Sequence, residues 1–152
     1  MEPSGDYVSQ LAAPATSAAR ADKGLRAAGY LLDLIPAILI GLLGLIPIVG
    51  AMLAGFILAP YWLFRDVGGA SLGKRILGIK VVARDGRPAS FGSRLLRNVP
   101  IALGPSLLVI PFLGLIVGPS VAFVSTVIET IFLFTQGERL GDRWAGTVVL
   151  KK

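Results

Sequence analysis

Two carboxylates stand inside long apolar runs, and they are the first candidates for chemistry. Between residues 25 and 64 the only charges are Arg26 and Asp33, and between 99 and 135 the only one is Glu129. Asp33 lies seven residues beyond Arg26, nearly two helical turns, so both project from one helix face with Asp33 about 10 Å further along the axis. An ionised carboxylate deep in hydrocarbon costs roughly 2.5 to 3.5 kcal/mol, so such a group faces a bundle interior or a wet cavity. It then serves a function, or it is a structural acid paired with Arg26 or capping another helix. Glu129 precedes Gln136 by seven residues, which puts it at a similar depth if both helices end on one side. Two acids at one level make a cation or proton site, because like charges raise one pKa and a cation relieves the repulsion. Turned to different faces, they make none.

Other chemistry is excluded by composition. The 152 residues include no cysteine and no histidine, which removes disulfides, thiolate or imidazole metal ligands, and Ser-His-Asp hydrolysis. No metal site and no cofactor are expected. Gly68 to Lys74 has the G-x-x-x-x-G-K spacing of a phosphate-binding loop, but Arg75 stands where the Mg²⁺-binding Ser or Thr belongs, and a membrane helix precedes it. It reads as a glycine-rich turn whose cations sit among lipid headgroups. The net charge is +6, yet the basic residues flank apolar runs and are not interleaved with aromatics, which argues against nucleic acid. With no convergent acid, base and nucleophile, an enzyme is not expected.

The elements that must position these charges follow from length and punctuation. Hydrophobic residues make up 54% of the chain and charged ones 16%, against about 25% charged in soluble proteins. Each apolar run is about twice the ~20 residues that one spanning helix needs, and Pro47 with Gly50, and Pro111 with Gly114 to Pro119, break them in the middle. The expected fold is an all-α membrane protein of two transmembrane helical hairpins with a small cytoplasmic loop and β cap. Its four spans run about 25–46, 50–66, 94–111 and 118–136, with a cytoplasmic loop 67–93, a cytoplasmic tail 137–152 and a disordered leader 1–22 rich in Ala, Pro, Ser and Gly. A re-entrant hairpin over 94–136 is the alternative to two full spans. All fifteen Lys and Arg residues avoid both hairpin turns, so the positive-inside rule places both termini in the cytoplasm of a multi-pass inner-membrane protein. The β-branched runs at 79–82 and 147–150 are expected to pair, and 90–98 to form an interfacial helix. Gly41, Gly44, Ala51, Gly55 and Ala59 suit close helix packing or dimerisation, while Tyr61, Trp62, Phe64 and Trp144 suit headgroup anchors.

Three motifs in order carry a family resemblance. They are Leu25-Arg26-Ala27-Ala28-Gly29-Tyr30-Leu31-Leu32-Asp33, then Ser71-Leu72-Gly73-Lys74-Arg75-Ile76-Leu77-Gly78 with Leu95-Leu96-Arg97-Asn98, and finally Arg139-Leu140-Gly141-Asp142-Arg143-Trp144-Ala145-Gly146. Over about residues 23–151 the chain resembles the RDD family of membrane proteins, named for one arginine and two aspartates. The resemblance implies that Arg26, Asp33 and Asp142 are those three charges and that the protein transports a cation, a proton or a small ligand. Glu129 lies outside the triad. In the expected geometry Arg26 clamps Asp142 at the surface, and Asp33 sits one layer deeper, free to exchange a proton or cation. The expected function is transport, as an oligomer. The alternative is an accessory subunit or assembly factor, whose basic cytoplasmic face docks a larger membrane complex or anionic lipid of the bilayer.

Overall fold

The apolar runs and their breaks build the architecture. The computed structural model describes residues 20–152. Its elements are α1 (Lys23–Gly41), prolonged by a 3-10 turn over Leu42–Leu45, α2 (Val49–Phe64), α3 (Leu72–Ile76), β1 (Ile79–Ala83), α4 (Phe91–Leu96), α5 (Val99–Leu107), α6 (Leu113–Gln136), α7 (Leu140–Trp144) and β2 (Thr147–Lys151). Most of the expected leader lies outside the described residues, but 20–22 belong to the fold. Arg20 bridges to Leu150, the Ala21 N–H donates to Val149 O, and Asp22 caps α1 by accepting from the Gly24 N–H at 2.8 Å.

Two helices are long and apolar enough to cross a membrane. One is α1 with its 3-10 extension, 23 residues at a mean hydropathy of 2.0; the other is α6, 24 residues at 1.8. At 1.5 Å per residue both exceed the ~30 Å hydrocarbon core. Their outer faces are bare apolar surface: Leu39 is 63% exposed, Ile116 75% and Phe123 71%. Surface of that extent marks a lipid or protein contact.

The other two expected spans differ from expectation. α2 has 16 residues. The expected third span is broken into α4 and α5, and α5, with nine residues, is too short to cross alone. The break falls at Arg97 and Asn98, both fully buried. Arg97 turns inward to two carboxylates, Asn98 Nδ2 donates to Arg94 O, and Pro100 has no N–H to offer Leu96. The core lies where α5 packs between α2 and α6, with Ala54, Leu58, Trp62, Ile101 and Ala102 buried. Gly55 takes part, since a Cβ there would stand 2.8 Å from Leu108 Cβ; Gly41 and Gly44 face nothing within 4 Å.

Both hairpins turn on one pattern, Pro47-Ile48-Val49-Gly50 and Pro111-Phe112-Leu113-Gly114. The Val49 N–H donates to Pro47 O at 2.7 Å and the Leu113 N–H to Pro111 O at 2.6 Å. Ile48 (φ 61°, ψ −71°) and Phe112 (φ 57°, ψ −60°) therefore sit in γ-turns of the strained sign. The likeness continues beyond each hairpin. Leu72-Gly73-Lys74-Arg75 and Leu140-Gly141-Asp142-Arg143 open the two short helices, which end at Gly78 and Gly146 with φ of 64° and 61°. A strand follows each. The two strands pair antiparallel as expected, with Val81 opposite Val149, the same position in each copy, so the copies meet at a local twofold axis. The chain is a tandem duplication of hairpin, short helix and strand.

Candidate functional site

The duplication explains where the charges gather. Asp33 and Arg97 each stand fourteen residues before a turn proline, and Arg65 and Glu129 each stand eighteen after one. Lys74 and Asp142 are likewise equivalent within the short helices. Equivalent positions thus carry opposite charges, and the twofold arrangement brings them together at the end of the bundle that carries the sheet.

The short helices approach the bundle through glycine. A Cβ at Gly73 would run into Gly29 O, and one at Gly141 into Arg97 O. Each glycine N–H then donates to an intramembrane-type acid: Gly73 to Asp33 Oδ1 at 2.7 Å, and Gly141 to Glu129 Oε1 at 2.9 Å. The two acids singled out in the apolar runs therefore do the same work in the two halves, and both line one cavity.

Asp142 is fully buried and held by three arginines. Arg26 ion-pairs Oδ2, Arg97 Nη2 reaches Oδ1 at 2.7 Å, and Arg139 Nη2 reaches Oδ1 at 3.4 Å. Burial pushes this carboxyl up, but Arg97, Arg139 and Arg26 overcome it and hold it well below the usual carboxylate range. Arg26 also donates to Gly137 O at 2.7 Å, satisfying a carbonyl just past the end of α6. The clamp between Arg26 and Asp142 is thus an interior feature, not the surface pair expected.

Asp33 contacts neither of those residues. Its Oδ2 lies 3.5 Å from Arg65 Nη1, and its main-chain carbonyl accepts from the Tyr61 hydroxyl at 2.7 Å. It is engaged by a cation and an N–H, so it does not stand free of partners as expected. Arg65 is further held over Trp62, 4.7 Å from the ring centroid, and Trp62 stacks on Tyr30.

Asp66 and Arg97 are the centre that sequence reasoning missed. Asp66 accepts from Lys74 Nζ at 2.6 Å and from the Ser71 N–H at 3.0 Å, and Arg97 Nε stands 3.4 Å from its other oxygen. Arg97 so joins Asp66 of the first copy to Asp142 of the second. Lys74 is no headgroup cation but a buried one. Burial pulls it down to about 7 against the opposing pull of Asp66, with Arg65, Arg97 and Arg139 adding to the fall. The repeated Leu-Gly-x-Arg motif was the available signal, because it marks Lys74 as the counterpart of Asp142.

Five buried basic side chains, Arg26, Arg65, Lys74, Arg97 and Arg139, face four carboxylates, Asp33, Asp66, Glu129 and Asp142. All but Asp66 and Asp142 line a cavity of about 340 Å³ between α1 and α6. These helices do not close on one another; the Tyr30 hydroxyl and Thr126 Oγ1 span the seam at 3.4 Å. Among the described residues, Asp33 Oδ2, Arg65 Nη1 and Glu129 Oε2 are met only by ion-pair approaches of 3.5 to 3.7 Å, Arg97 Nε and Nη2 only by the two carboxylates, and Arg97 Nη1 has no hydrogen-bond partner. Such a set can receive a polar ligand.

No curated protein and no solved structure matches the chain. The model of the RDD family matches residues 20–146, a stretch that holds both copies of the hairpin and the whole of the charged cluster. The chain belongs to the RDD family, whose members are membrane proteins.

Proposed function

We propose that the chain is a multi-pass inner-membrane protein with both termini in the cytoplasm, in which α1 and α6 cross fully and the shorter α2 and α5 complete the two hairpins. In this reading it transports a small ligand through the cavity between α1 and α6. The observation that carries it is the cavity itself, set inside the bundle and lined by charged groups with unused hydrogen-bonding capacity. The buried Arg97 Nη1, which has no hydrogen-bond partner among the described residues, favours an anionic ligand over a bare cation. A homo-oligomer supplies the further membrane crossings that two full-length and two short helices lack. The test is flux into proteoliposomes of purified protein, using a pH dye under imposed gradients of sodium chloride, sodium phosphate and sodium butyrate. A Thr126→Trp variant fills the cavity without touching a charge. Wild-type flux that disappears in a folded Thr126→Trp protein supports the reading, and flux unaltered by that change would sink it.

One observation favours an accessory role instead. Arg26 both pairs Asp142 and caps α6, so the family's charges serve the fold whether or not anything moves. That reading expects no flux from wild-type proteoliposomes and co-purification with a larger complex.

A further inference from the structure

The charged cavity does not end at the charged layer. Tyr30, Leu34, Ile101 and Thr126 also line a second, apolar hollow of about 440 Å³, which continues along the same seam toward the hairpin turns. Its walls there are Ala37 and Leu58, Gly118, and Phe123 at the open side. The seam thus has a cationic head and an apolar body in line, open laterally where α1 and α6 present bare apolar surface.

At the head, Arg97 is fully buried, and its Nη1 has neither a hydrogen bond nor an ion pair among the described residues. The buried Arg65 Nη1 has only the 3.5 Å approach to Asp33. Buried guanidinium N–H groups left without acceptors are costly, and an anionic oxygen relieves them with charge-assisted hydrogen bonds. A free inorganic anion would use the head of the seam and leave its body empty. A neutral chain would use the body and leave the arginines bare. Only a molecule with both parts satisfies the whole seam. We propose that it binds a membrane-borne anionic amphiphile, with a carboxylate or phosphate head at Arg65 and Arg97 and an acyl chain lying between α1 and α6. This rests on reading the cavity as a ligand site, and it names the class of ligand.

Trp62 borders the apolar hollow and is 5% exposed, which makes it a reporter. The chain has two tryptophans, so Trp144→Phe leaves Trp62 alone. In phosphatidylcholine nanodiscs, 9,10-dibromostearate should quench Trp62 saturably, at a membrane concentration about tenfold or more below that of its uncharged methyl ester. Arg65→Gln should erase that preference, and the wild-type comparison of acid with ester stands even if the variant fails to fold. Equal quenching by acid and ester would overturn the proposal. Displacement of the acid by millimolar inorganic phosphate would overturn the amphiphile while leaving an anion-binding cavity intact. Flux in the proteoliposome assay without saturable quenching would overturn the amphiphile and spare the transport reading.

Discussion

Removing Arg97 should cost more than removing any charge at the surface, and the structure sets the size. Arg97 is 0% exposed and joins Asp66 and Asp142, with nitrogen–oxygen separations of 3.4 and 2.7 Å. At an effective dielectric near 20 and about 4 Å between charges, one such pair attracts by about 4 kcal/mol, and breaking a buried pair from one side costs about 3 to 5 kcal/mol. In Arg97→Met neither acid is left bare, because Asp142 keeps Arg26 and Arg139 and Asp66 keeps Lys74 and the Ser71 N–H. The loss therefore falls at the lower end, about 3 kcal/mol, or about 6 to 12 °C in Tm for a chain of this size. Arg97→Lys should fall in between, since an ammonium on a single stem cannot hold two carboxylates at once. Asp142→Asn should cost at least as much as Arg97→Met, because it removes one charged partner from three arginines at once, leaving Arg97 only Asp66, Arg139 only Glu129 and Arg26 only the Gly137 carbonyl. The assay is thermal unfolding in detergent followed by tryptophan fluorescence, run as a double-mutant cycle, with an expected coupling of about 2 kcal/mol between Arg97 and Asp142. A loss below about 1 kcal/mol for Arg97→Met, or no coupling, would refute the bridging role.

Three other outcomes can be checked on the same preparation. Gly73→Ala and Gly141→Ala should each lose about 1 to 3 kcal/mol, since a Cβ would run into Gly29 O or Arg97 O; equal Tm values for variant and wild type would contradict the close approach. Because Asp142 is held below the usual range when folded, the unfolded chain takes up its proton first, so its contribution to stability should be constant above about pH 4 to 5 and be lost as the pH drops further; in Asp142→Asn that acid limb should shrink. Phe112 occupies a strained φ of 57° and is 69% exposed, so Phe112→Gly should leave Tm unchanged or raise it by a few degrees, and a marked fall would show that the ring's contacts outweigh the strain.

How much was legible from the residues divides along a physical line. Apolar runs, turn prolines and the β-branched strands are local signals, and they located α1, α2, α6 and the β1–β2 pair to within a few residues. The break at Arg97 and Asn98 is a tertiary effect. Nothing in the run 94–111 alone says that Arg97 must face inward; that follows from Asp66 and Asp142, which approach it from distant parts of the chain. Arg26 and Asp142 could be matched because the family resemblance names both and an uncompensated charge at the bundle is costly, although the pair was expected at the surface. Asp33 was assigned too much freedom, since a main-chain N–H from Gly73 is invisible as a partner until the short helix is seen to dock. The tandem repeat was readable in the two Pro-x-x-Gly turns and the two Leu-Gly-x-Arg motifs. Its opposite charges at equivalent places would have pointed to Lys74 and Arg97.

Every role given to the cavity depends on the sheet end of the bundle facing the cytoplasm and the two γ-turns facing outward. The chain has no cysteine, so single cysteines report this directly. Phe112 and Val49 lie at the two turns and are exposed, whereas a side chain at Gly114 would collide with Leu107 O, which makes the first two the sites of choice. In intact cells an impermeant thiol reagent should label Val49→Cys and Phe112→Cys and leave Arg84→Cys and Lys151→Cys unlabelled until the membrane is opened. Labelling of Arg84→Cys from outside, or protection of one turn but not the other, would contradict the account.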